Sequence, residues 1–446
     1  ILTVVVLCLS FTQLFAEGDS HRWPEFRGPG GQGHSSAKNL PSEWSETKNV
    51  VWKTPITGRG WSSPVVENGE IWMTSAIETP ATEDEKKERL KSNTGSQPLN
   101  VAGRVSFRAV GCKADTGELI ADVELMLKKS PQPVHDLNSY ASPTPILENG
   151  RLYCHFGTEG TVCLDTKTKK IVWTNDDLKL AHENGPGSSP ILWKDLIIFH
   201  CDGSDVQFVA ALDKKTGKVR WKTDRSGKMH AHPQMKKAYG TPLVVEIAGR
   251  PQLVSPGADW LYSYDPSSGD EIWKVKYGVL GFSLVPRPVT GHGRVYMCTS
   301  FMRSELLAFR FDDKKTPYID WRYKKQVPAQ PSPLLIDDSL YFVSDKAGVL
   351  TCLDAITGKA RWMKRIGGNY SSSLLYADGK VFAANRTGVT TVFRPGKEFD
   401  LVSKNELDGR IMATPVAVGR ALYIRTDKAL YRIEGAKKTS VPTPRG

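Results

Sequence analysis

Short apolar runs separated by polar turns occupy most of the chain between residues 44 and 435. The runs are rich in Val, Ile, Leu, Tyr and Phe, and the breaks between them read ENG, DGK, DKAG and KTG. This alternation is typical of consecutive antiparallel strands. A helical spacing competes with it only at residues 80–92. The pattern therefore predicts an all-β protein.

One phrase recurs along these predicted strands at intervals of 41 to 52 residues. It places Trp eight residues after Asp, with Thr or Ser three residues after the same Asp. The five clear copies are Asp165/Trp173, Asp213/Trp221, Asp265/Trp273, Asp313/Trp321 and Asp354/Trp362. The Asp carboxylate and the hydroxyl can hydrogen-bond their own turn, and a Gly in the turn permits positive φ. The turn then delivers Trp to an outer strand, where the indole can fill the wedge between neighbouring units.

A second phrase precedes each copy of the first, and it joins a Pro to an aromatic or aliphatic residue eight positions later. Its copies are Pro64/Trp72, Pro145/Tyr153, Pro190/Ile198, Pro288/Tyr296, Pro333/Tyr341 and Pro415/Tyr423, with variants at Leu374/Phe382 and Pro242. Eight units of four strands, named A to D from the inside outward, predict an eight-bladed β-propeller.

The last unit, residues 414–434, supplies only three strands, whereas NVVWKTPI at residues 49–56 precedes the first complete unit. This N-terminal strand can complete the last blade and close the ring without a free edge. We therefore assign residues 44–435 to the propeller. We expect residues 436–446 to form a flexible tail.

Residues 1–16 form an apolar run that ends in a small residue, as the core of a secretory signal peptide does. We interpret this run as a signal peptide and expect a mature protein that begins near Glu17, without a membrane span, in the periplasm or outside the cell. Residues 17–43 include the Gly/Pro-rich stretch WPEFRGPGGQG, which predicts an extended segment lying on the propeller.

The net charge of +12 is spread over every repeat. Such a surface favours acidic partners through its long-range field, although a merely solvated surface is equally consistent with the pattern. No nucleic-acid-binding motif is present, and we expect a monomer that binds no nucleic acid.

Six cysteines follow the apolar run, none adjacent to another, and their strand-like surroundings predict buried small side chains. A disulfide between Cys154 and Cys163 across a tight turn is left open.

The repeated D-x-x-[TS]-G-x-x-x-W phrase resembles the tryptophan-docking motif of the pyrroloquinoline quinone (PQQ)-type repeat family. That family includes quinoprotein alcohol dehydrogenases and the outer-membrane barrel-assembly propeller lipoprotein. The resemblance implies an eight-bladed propeller, and it covers most of the chain. In the first unit, Lys113 and Ala121 stand where Asp and Trp are expected.

The resemblance also implies PQQ with calcium as an alternative cofactor. Quinoprotein dehydrogenases of the family carry an adjacent Cys-Cys pair, calcium ligands of Glu, Asn and Asp type, and a longer chain, and this sequence has no Cys-Cys pair. The hydrolase and nucleotide-binding motifs GxSxG, HExxH and GxxxxGK[ST] are absent as well.

The strand order places the D-to-A and B-to-C connections on one rim, here called the loop rim. The A-to-B and C-to-D turns then lie on the other, the short-turn rim. The loop rim gathers His135, His182, His230 and His232, next to Asp136 and Glu183. Imidazoles beside carboxylates can bind a transition metal or a polar ligand, or they can simply cap strand ends in solvent.

Further features fall on the same rim. Aromatic residues stand just before the innermost strands, and they are either a ligand platform or ordinary packing: Trp61, Tyr140, Tyr239, Phe282 and Tyr370. The insertion at residues 80–104 falls in the B-to-C connection of blade 1 and predicts either a short exposed helix or a disordered loop.

These observations favour an exported, non-catalytic scaffold that binds a protein, peptide or glycan on the loop rim. Two alternatives stay open: a quinoprotein-like oxidoreductase that binds PQQ in the central funnel, and a metal-assisted hydrolase that uses the histidines. We assign no catalytic, cofactor-binding or metal-binding residue, and we expect any ligand in the funnel mouth on the histidine side.

Overall fold

The computed structural model describes residues 21–435 except residues 92, 94 and 279–281. Within these residues, the strands form eight four-stranded antiparallel blades in a ring, which confirms the predicted eight-bladed propeller. The predicted signal peptide at residues 1–16 and the predicted tail at residues 436–446 lie outside the described residues.

The first four blades follow the chain order A, B, C, D. Blade 1 comprises Val65–Glu67, Glu70–Pro80, Ala102–Lys113 and Leu119–Lys129. Blade 2 comprises Ile146–Glu148, Arg151–His155, Thr161–Asp165 and Ile171–Asn175. Blade 3 comprises Ile191–Trp193, Leu196–Asp202, Gln207–Asp213 and Val219–Asp224. Blade 4 comprises Leu243–Ile247, Arg250–Pro256, Trp260–Tyr264 and Glu271–Lys276.

The next three blades repeat this order, and the eighth takes its outer strand from the N-terminal side. Blade 5 comprises Val289–Gly291, Arg294–Cys298, Leu306–Phe311 and Pro317–Tyr323. Blade 6 comprises Leu334–Ile336, Ser339–Val343, Val349–Asp354 and Ala360–Arg365. Blade 7 comprises Leu375–Ala377, Lys380–Ala384, Val389–Arg394 and Asp400–Glu406. Blade 8 comprises Val416–Val418, Ala421–Arg425, Ala429–Glu434 and Val50–Pro55.

Ring closure follows the prediction made from the sequence. Val50–Pro55 pairs antiparallel with Ala429–Glu434, so the N-terminal strand is the outer strand of blade 8. Trp52 on this strand donates its indole N–H to the carbonyl of Ala114 in blade 1, at 3.2 Å. The first strand therefore joins the last blade to the first one.

Each repeated Trp lies on its outer strand at a β-bulge and contacts the next blade, as predicted. Trp173 and Trp221 are 8% and 9% exposed, and the other three are half-buried. The glycine of the motif in the following blade receives the indole. A methyl group added to Gly217 would lie 2.5 Å from Cε3 of Trp173, and one added to Gly358 would lie 2.6 Å from Cδ2 of Trp321. The motif glycine is thus required both by its positive φ and by the neighbouring indole.

The motif Asp holds its own turn. The Oδ1 atom of Asp213 accepts hydrogen bonds from the backbone N–H groups of Lys215 and Thr216, at 3.0 and 2.9 Å. One assignment from the sequence is wrong. In blade 5 the carboxylate that accepts the Thr316 N–H is that of Asp312, not Asp313, because the turn there is one residue longer than in the other copies.

A ring of hydrogen bonds links the starts of the inner strands. In seven of eight junctions, a backbone N–H of one blade donates to a Ser or Thr hydroxyl of the next, at 2.9 to 3.2 Å. The ring positions directly precede the inner strands: Ser63, Thr144, Ser189, Thr241, Arg287, Ser332, Ser373 and Thr414. Arg287 is the one member without a hydroxyl. Its side chain instead bonds to the N-terminal segment.

The N-terminal segment, residues 22–44, lies in the central channel and then crosses to blade 8. Trp23 and Val66 exchange two backbone hydrogen bonds of 2.8 Å, and His34–Ser35 pairs in parallel with the inner strand of blade 7. Arg287 donates to the carbonyl of Phe26 at 2.5 Å and lies 3.4 Å from the Glu25 carboxylate. The sequence predicted an extended segment on the propeller, and the structure places it inside the channel.

Cys154 and Cys163 are free thiols, so the disulfide left open by the sequence does not form. The turn between them is the 3-10 turn Gly157–Glu159, and the resulting register sets Cys163 opposite Tyr153. Cys154 therefore packs between blades 1 and 2, whereas Cys163 packs between blades 2 and 3. The described part of the chain contains no helix with the length and apolar character needed to cross a membrane.

Candidate functional site

The four predicted histidines all lie in D-to-A loops on the loop rim, and each imidazole accepts a backbone hydrogen bond, from its own loop in three cases and from the B-to-C connection of blade 2 in the case of His182. The Nε2 atom of His182 accepts the backbone N–H of Thr158 at 2.9 Å, and burial lowers the pKa of His182 to about 4. His135, His230 and His232 accept N–H groups two residues further along the chain, at 3.0 to 3.2 Å. Imidazole nitrogens that accept backbone hydrogen bonds fit the interpretation that these histidines cap strand ends better than the interpretation that they bind a ligand.

The described residues contain no group of three or more His, Cys, Asp or Glu side chains that could hold a metal ion. The hydrolase alternative therefore has no set of metal ligands within that part of the molecule.

Neighbouring loops of this rim are linked into one wall. The buried ammonium of Lys237 lies 3.1 Å from the Glu183 carboxylate, and the hydroxyl of Tyr239 donates to the carbonyl of His182 at 2.6 Å. Asn138 donates to the carbonyls of Asn184 and Pro186 at 2.7 and 3.0 Å. The loops after blades 1, 2 and 3 thus support one another, which gives a fixed surface.

The insertion in blade 1 is ordered where the structure describes it. Glu83–Arg89 forms a helix, and Thr82 and Glu85 form a reciprocal capping box at its start. Further along, Leu99–Asn100 pairs with Val134–His135. The helical alternative is therefore correct, and the insertion packs against the first D-to-A loop.

A concave site of about 380 Å³ opens at the channel mouth on the loop rim. Its lining residues come from five connections: Gly58, Arg59, Trp61, Asn100, Asp136, Arg410 and Asp427. The guanidinium carbons of Arg59 and Arg410 lie 5.5 and 5.6 Å from the Trp61 ring centroid. Both are in the range of cation–π attraction. We call this group the mouth site.

The mouth site is held in place by backbone contacts, and one further cation, Arg386, interacts with Arg410. Arg59 donates to the carbonyls of Asp136 and Asn138 at 2.6 and 2.5 Å. Burial lowers the pKa of Arg386. The Asp345 carboxylate raises this pKa, and the Arg410 guanidinium lowers it further. Arg410 also lies 3.6 Å from the Asp427 carboxylate, so the charges that line the mouth site are partly paired.

The five predicted aromatic residues divide into two kinds. Tyr140, Tyr239 and Tyr370 are buried and pack at strand starts, as the packing alternative stated. Trp61 lines the mouth site, and Phe282 makes an edge contact with Phe301 at 5.5 Å. Phe301 and its neighbour Met302 are 61% and 71% exposed on the loop rim. This exposed apolar pair was not predicted from the sequence, although two large apolar residues within an otherwise polar turn could have indicated it.

A second and larger cavity, of about 490 Å³, lies at the other end of the channel, between the N-terminal segment and the inner strands of blades 2 to 5. Its walls include aliphatic side chains of these strands, and its polar lining includes Glu25, Glu148, Glu246 and Arg287. The sequence predicted any ligand in the funnel mouth on the histidine side, which is the opposite end of the channel. We call this space the short-turn cavity.

PQQ with calcium does not fit the residues around the channel. The N-terminal segment bonds to inner strands of blades 1, 2 and 7 and so occupies the channel space. The lining of the short-turn cavity includes three carboxylates and two guanidinium groups, and both guanidinium groups are already ion-paired, so neither is free to bind a tricarboxylate cofactor. The absence of a grouped ligand set in the described residues points the same way.

Several solved structures share the fold at low sequence identity. A europium-containing methanol dehydrogenase is 12% identical, with a TM-score of 0.62 over 92% of this chain and 90% of its own. BamB from Moraxella catarrhalis is 14% identical, with a TM-score of 0.52 over 81% of this chain and 99% of its own. The computationally designed protein Ika8 is 12% identical, with a TM-score of 0.52 over 85% of this chain and all of its own. These similarities establish the fold.

No curated protein sequence matches this chain. The family model described as outer membrane protein assembly factor BamB, however, matches residues 36–223, 106–254 and 207–441, which together span most of the sequence. The chain therefore belongs to this family of PQQ-type repeat propellers.

Proposed function

We propose that this protein is an exported, non-catalytic scaffold that binds an acidic segment of a protein or peptide partner at the mouth site. The observation that carries the proposal is the indole of Trp61 between the guanidinium groups of Arg59 and Arg410 in a concave site. Trp and Arg are the residue types that dominate binding energies at protein interfaces.

Charge favours an acidic partner. The net charge of +12 attracts acidic chains from a distance, and Arg59 and Arg410 can donate hydrogen bonds to a partner's carboxylates at the site itself. The exposed pair Phe301 and Met302 adds apolar surface on the same rim. A partner segment with both acidic and apolar side chains suits this combination better than an uncharged glycan does.

A periplasmic or secreted location belongs to the same proposal. It is supported by the apolar run at residues 1–16 and by a family description that refers to the outer membrane. The matching family model is described as an outer membrane protein assembly factor, which supports a scaffold role for this chain.

The test uses the purified chain to capture partners from a cell-envelope extract of the source organism. A double variant, Trp61→Ala with Arg410→Ala, should lose the partners that wild type captures, and capture should weaken at high salt. The double variant His230→Ala with His232→Ala is the matched control, because it alters the same rim outside the mouth site. Its stability should change by no more than about 0.5 kcal/mol. Equal capture by the Trp61/Arg410 variant would rule out the mouth site.

The oxidoreductase alternative is tested separately by adding PQQ and Ca²⁺ and recording the absorbance and dye reduction with alcohol or aldose substrates. A scaffold gives no PQQ-dependent dye reduction. A robust signal would replace the scaffold proposal with the alternative.

A further inference from the structure

The inner strand of each blade has one edge that no strand of the same blade covers, because strand B pairs with only its outer side. Such an edge carries backbone N–H and C=O groups that can accept an additional strand. The N-terminal segment uses several of these edges. Its backbone bonds to Val66 in blade 1, Leu147 in blade 2 and Tyr376 in blade 7.

This arrangement leaves the inner edge of blade 4 open, whereas in blade 3 the one inner-strand N–H that faces the channel is already used. In blade 3, only the Leu192 N–H is engaged, by the side chain of Glu25. In blade 4, no hydrogen bond from another described segment reaches the backbone of residues 243–246. Residues 191–193 and 243–246 are also the part of the short-turn cavity that the N-terminal segment faces. The cavity thus presents one unpaired strand edge, that of blade 4.

The walls of the cavity combine apolar side chains with one charged side chain that has no ion pair within the described residues. Ile191, Leu192, Val244 and Val245 supply aliphatic surface. The charged lining residues are mostly paired, as Arg22 with Glu67 at 2.6 Å, Arg287 with Glu25 at 3.4 Å, and Glu148 with Lys214 at 3.0 Å. Glu246 has no ion pair within the described residues, so the free charge of the cavity is negative.

We propose that the short-turn cavity binds a short extended peptide that carries a basic side chain. The peptide backbone adds to the open inner edge of blade 4, its aliphatic side chains contact Ile191 and Val244, and its ammonium or guanidinium group pairs with Glu246. Backbone addition to a free strand edge is a general mode of peptide recognition, in which the main chain supplies affinity and the side chains supply specificity. The cavity volume of about 490 Å³ lies in the range of small-ligand sites and holds only a few residues.

This site is independent of the mouth site. It lies at the opposite end of the channel, and the charge that it recognises is opposite. One chain would therefore hold an acidic segment on one rim and a basic segment on the other.

The probes are acetylated, amidated tetrapeptides, and binding is measured by isothermal titration calorimetry with the full chain. Ac-Val-Lys-Val-Thr-NH₂ should bind, and Ac-Val-Glu-Val-Thr-NH₂ should bind at least about tenfold more weakly, because it meets Glu246 with the wrong charge. An analogue of the lysine peptide that is N-methylated at both Val residues should also bind about tenfold more weakly, since it cannot donate to the strand edge. Failure of the lysine peptide to bind at millimolar concentration would overturn the site, and equal binding of the N-methylated analogue would overturn the edge geometry.

Two variants locate the binding. Glu246→Gln should weaken the lysine peptide about tenfold and leave the glutamate peptide no weaker than before. The matched control is Glu398→Gln, which alters an exposed Glu in a turn of blade 7 outside the cavity and should leave both affinities unchanged. Val244→Trp fills the cavity and should abolish binding, with the thermal midpoint recorded to show that the variant is folded. Unchanged affinity in Glu246→Gln, or binding by folded Val244→Trp, contradicts the proposal.

Discussion

The contact between each motif glycine and the preceding blade's indole makes a quantitative prediction at Gly217. Replacing it with Ala introduces two costs that the structure separates. The backbone is left-handed there, with φ at +72°, which costs an L-residue about 1–2 kcal/mol. The new methyl group would also lie 2.5 Å from Cε3 of Trp173, so the indole must move.

Movement of the indole has its own magnitude. Trp173 would lose the hydrogen bond to the Lys214 carbonyl, now 3.1 Å, which contributes about 1 kcal/mol. Repacking of an overfilled contact costs about 1–3 kcal/mol more. We therefore expect Gly217→Ala to lower the free energy of unfolding by about 3–6 kcal/mol.

The matched control is Gly379→Ala. Gly379 has nearly the same backbone, with φ at +70°, but nothing lies within 4 Å of the added methyl group. It should cost only the shared backbone strain of about 1–2 kcal/mol. The assay is urea unfolding followed by far-ultraviolet circular dichroism, which does not depend on the tryptophan signal.

A double-mutant cycle completes the test. In a Trp173→Ala background the space above Gly217 is empty, so Gly217→Ala should fall to the cost of the control. Equal destabilisation by Gly217→Ala and Gly379→Ala, or an unchanged cost in the Trp173→Ala background, would refute the docking explanation of the motif.

Three further predictions concern closure, the channel and pH. Deleting residues 17–55 exposes the edge of Ala429–Glu434 and should cause aggregation on gel filtration; a monomer with an unchanged melting temperature would contradict this. Arg287→Ser restores the missing hydroxyl of the ring but removes the contacts of Arg287 with the N-terminal segment. Hydrogen exchange of the backbone amides at residues 23–35 should therefore rise, while the melting temperature changes little. Unchanged exchange would show that Arg287 does not hold this segment. Burial lowers the pKa of His182 to about 4 and that of His155 to about 3, both below the value of about 6.5 in the unfolded chain. The unfolded chain therefore binds more protons below pH 6.5, so the melting temperature should fall as the pH is lowered from 6.5 toward 4, less steeply in His182→Gln.

The repeated motif made the fold predictable because its copies form the same local structure, a turn followed by an outer strand. Asp, Gly and Trp each have one structural task, and their repetition sets the blade number and the closing strand. The exception at Asp312 arose where an additional turn residue shifted the acceptor by one position. Local rules of this kind are readable from a single sequence.

The sites were less predictable because they depend on contacts between segments far apart in the chain. The short-turn cavity exists only because residues 22–32 lie in the channel, and a Gly/Pro-rich stretch without periodicity does not indicate where it will lie. The mouth site brings together Arg59 and Arg410, which are separated by most of the sequence. The histidines were conspicuous in the sequence, but their imidazoles accept backbone hydrogen bonds from their own or a neighbouring loop.

Closure by the first strand has a consequence for how the molecule matures. Val50–Pro55 emerges from the ribosome before any blade is complete, and its partner Ala429–Glu434 is made last. Contacts between such distant parts of a chain form late and slow the overall folding. Until they form, the early strand is unpaired and open to proteases and to association with other chains. The docking of the first strand onto the last is thus the step that ends this exposure.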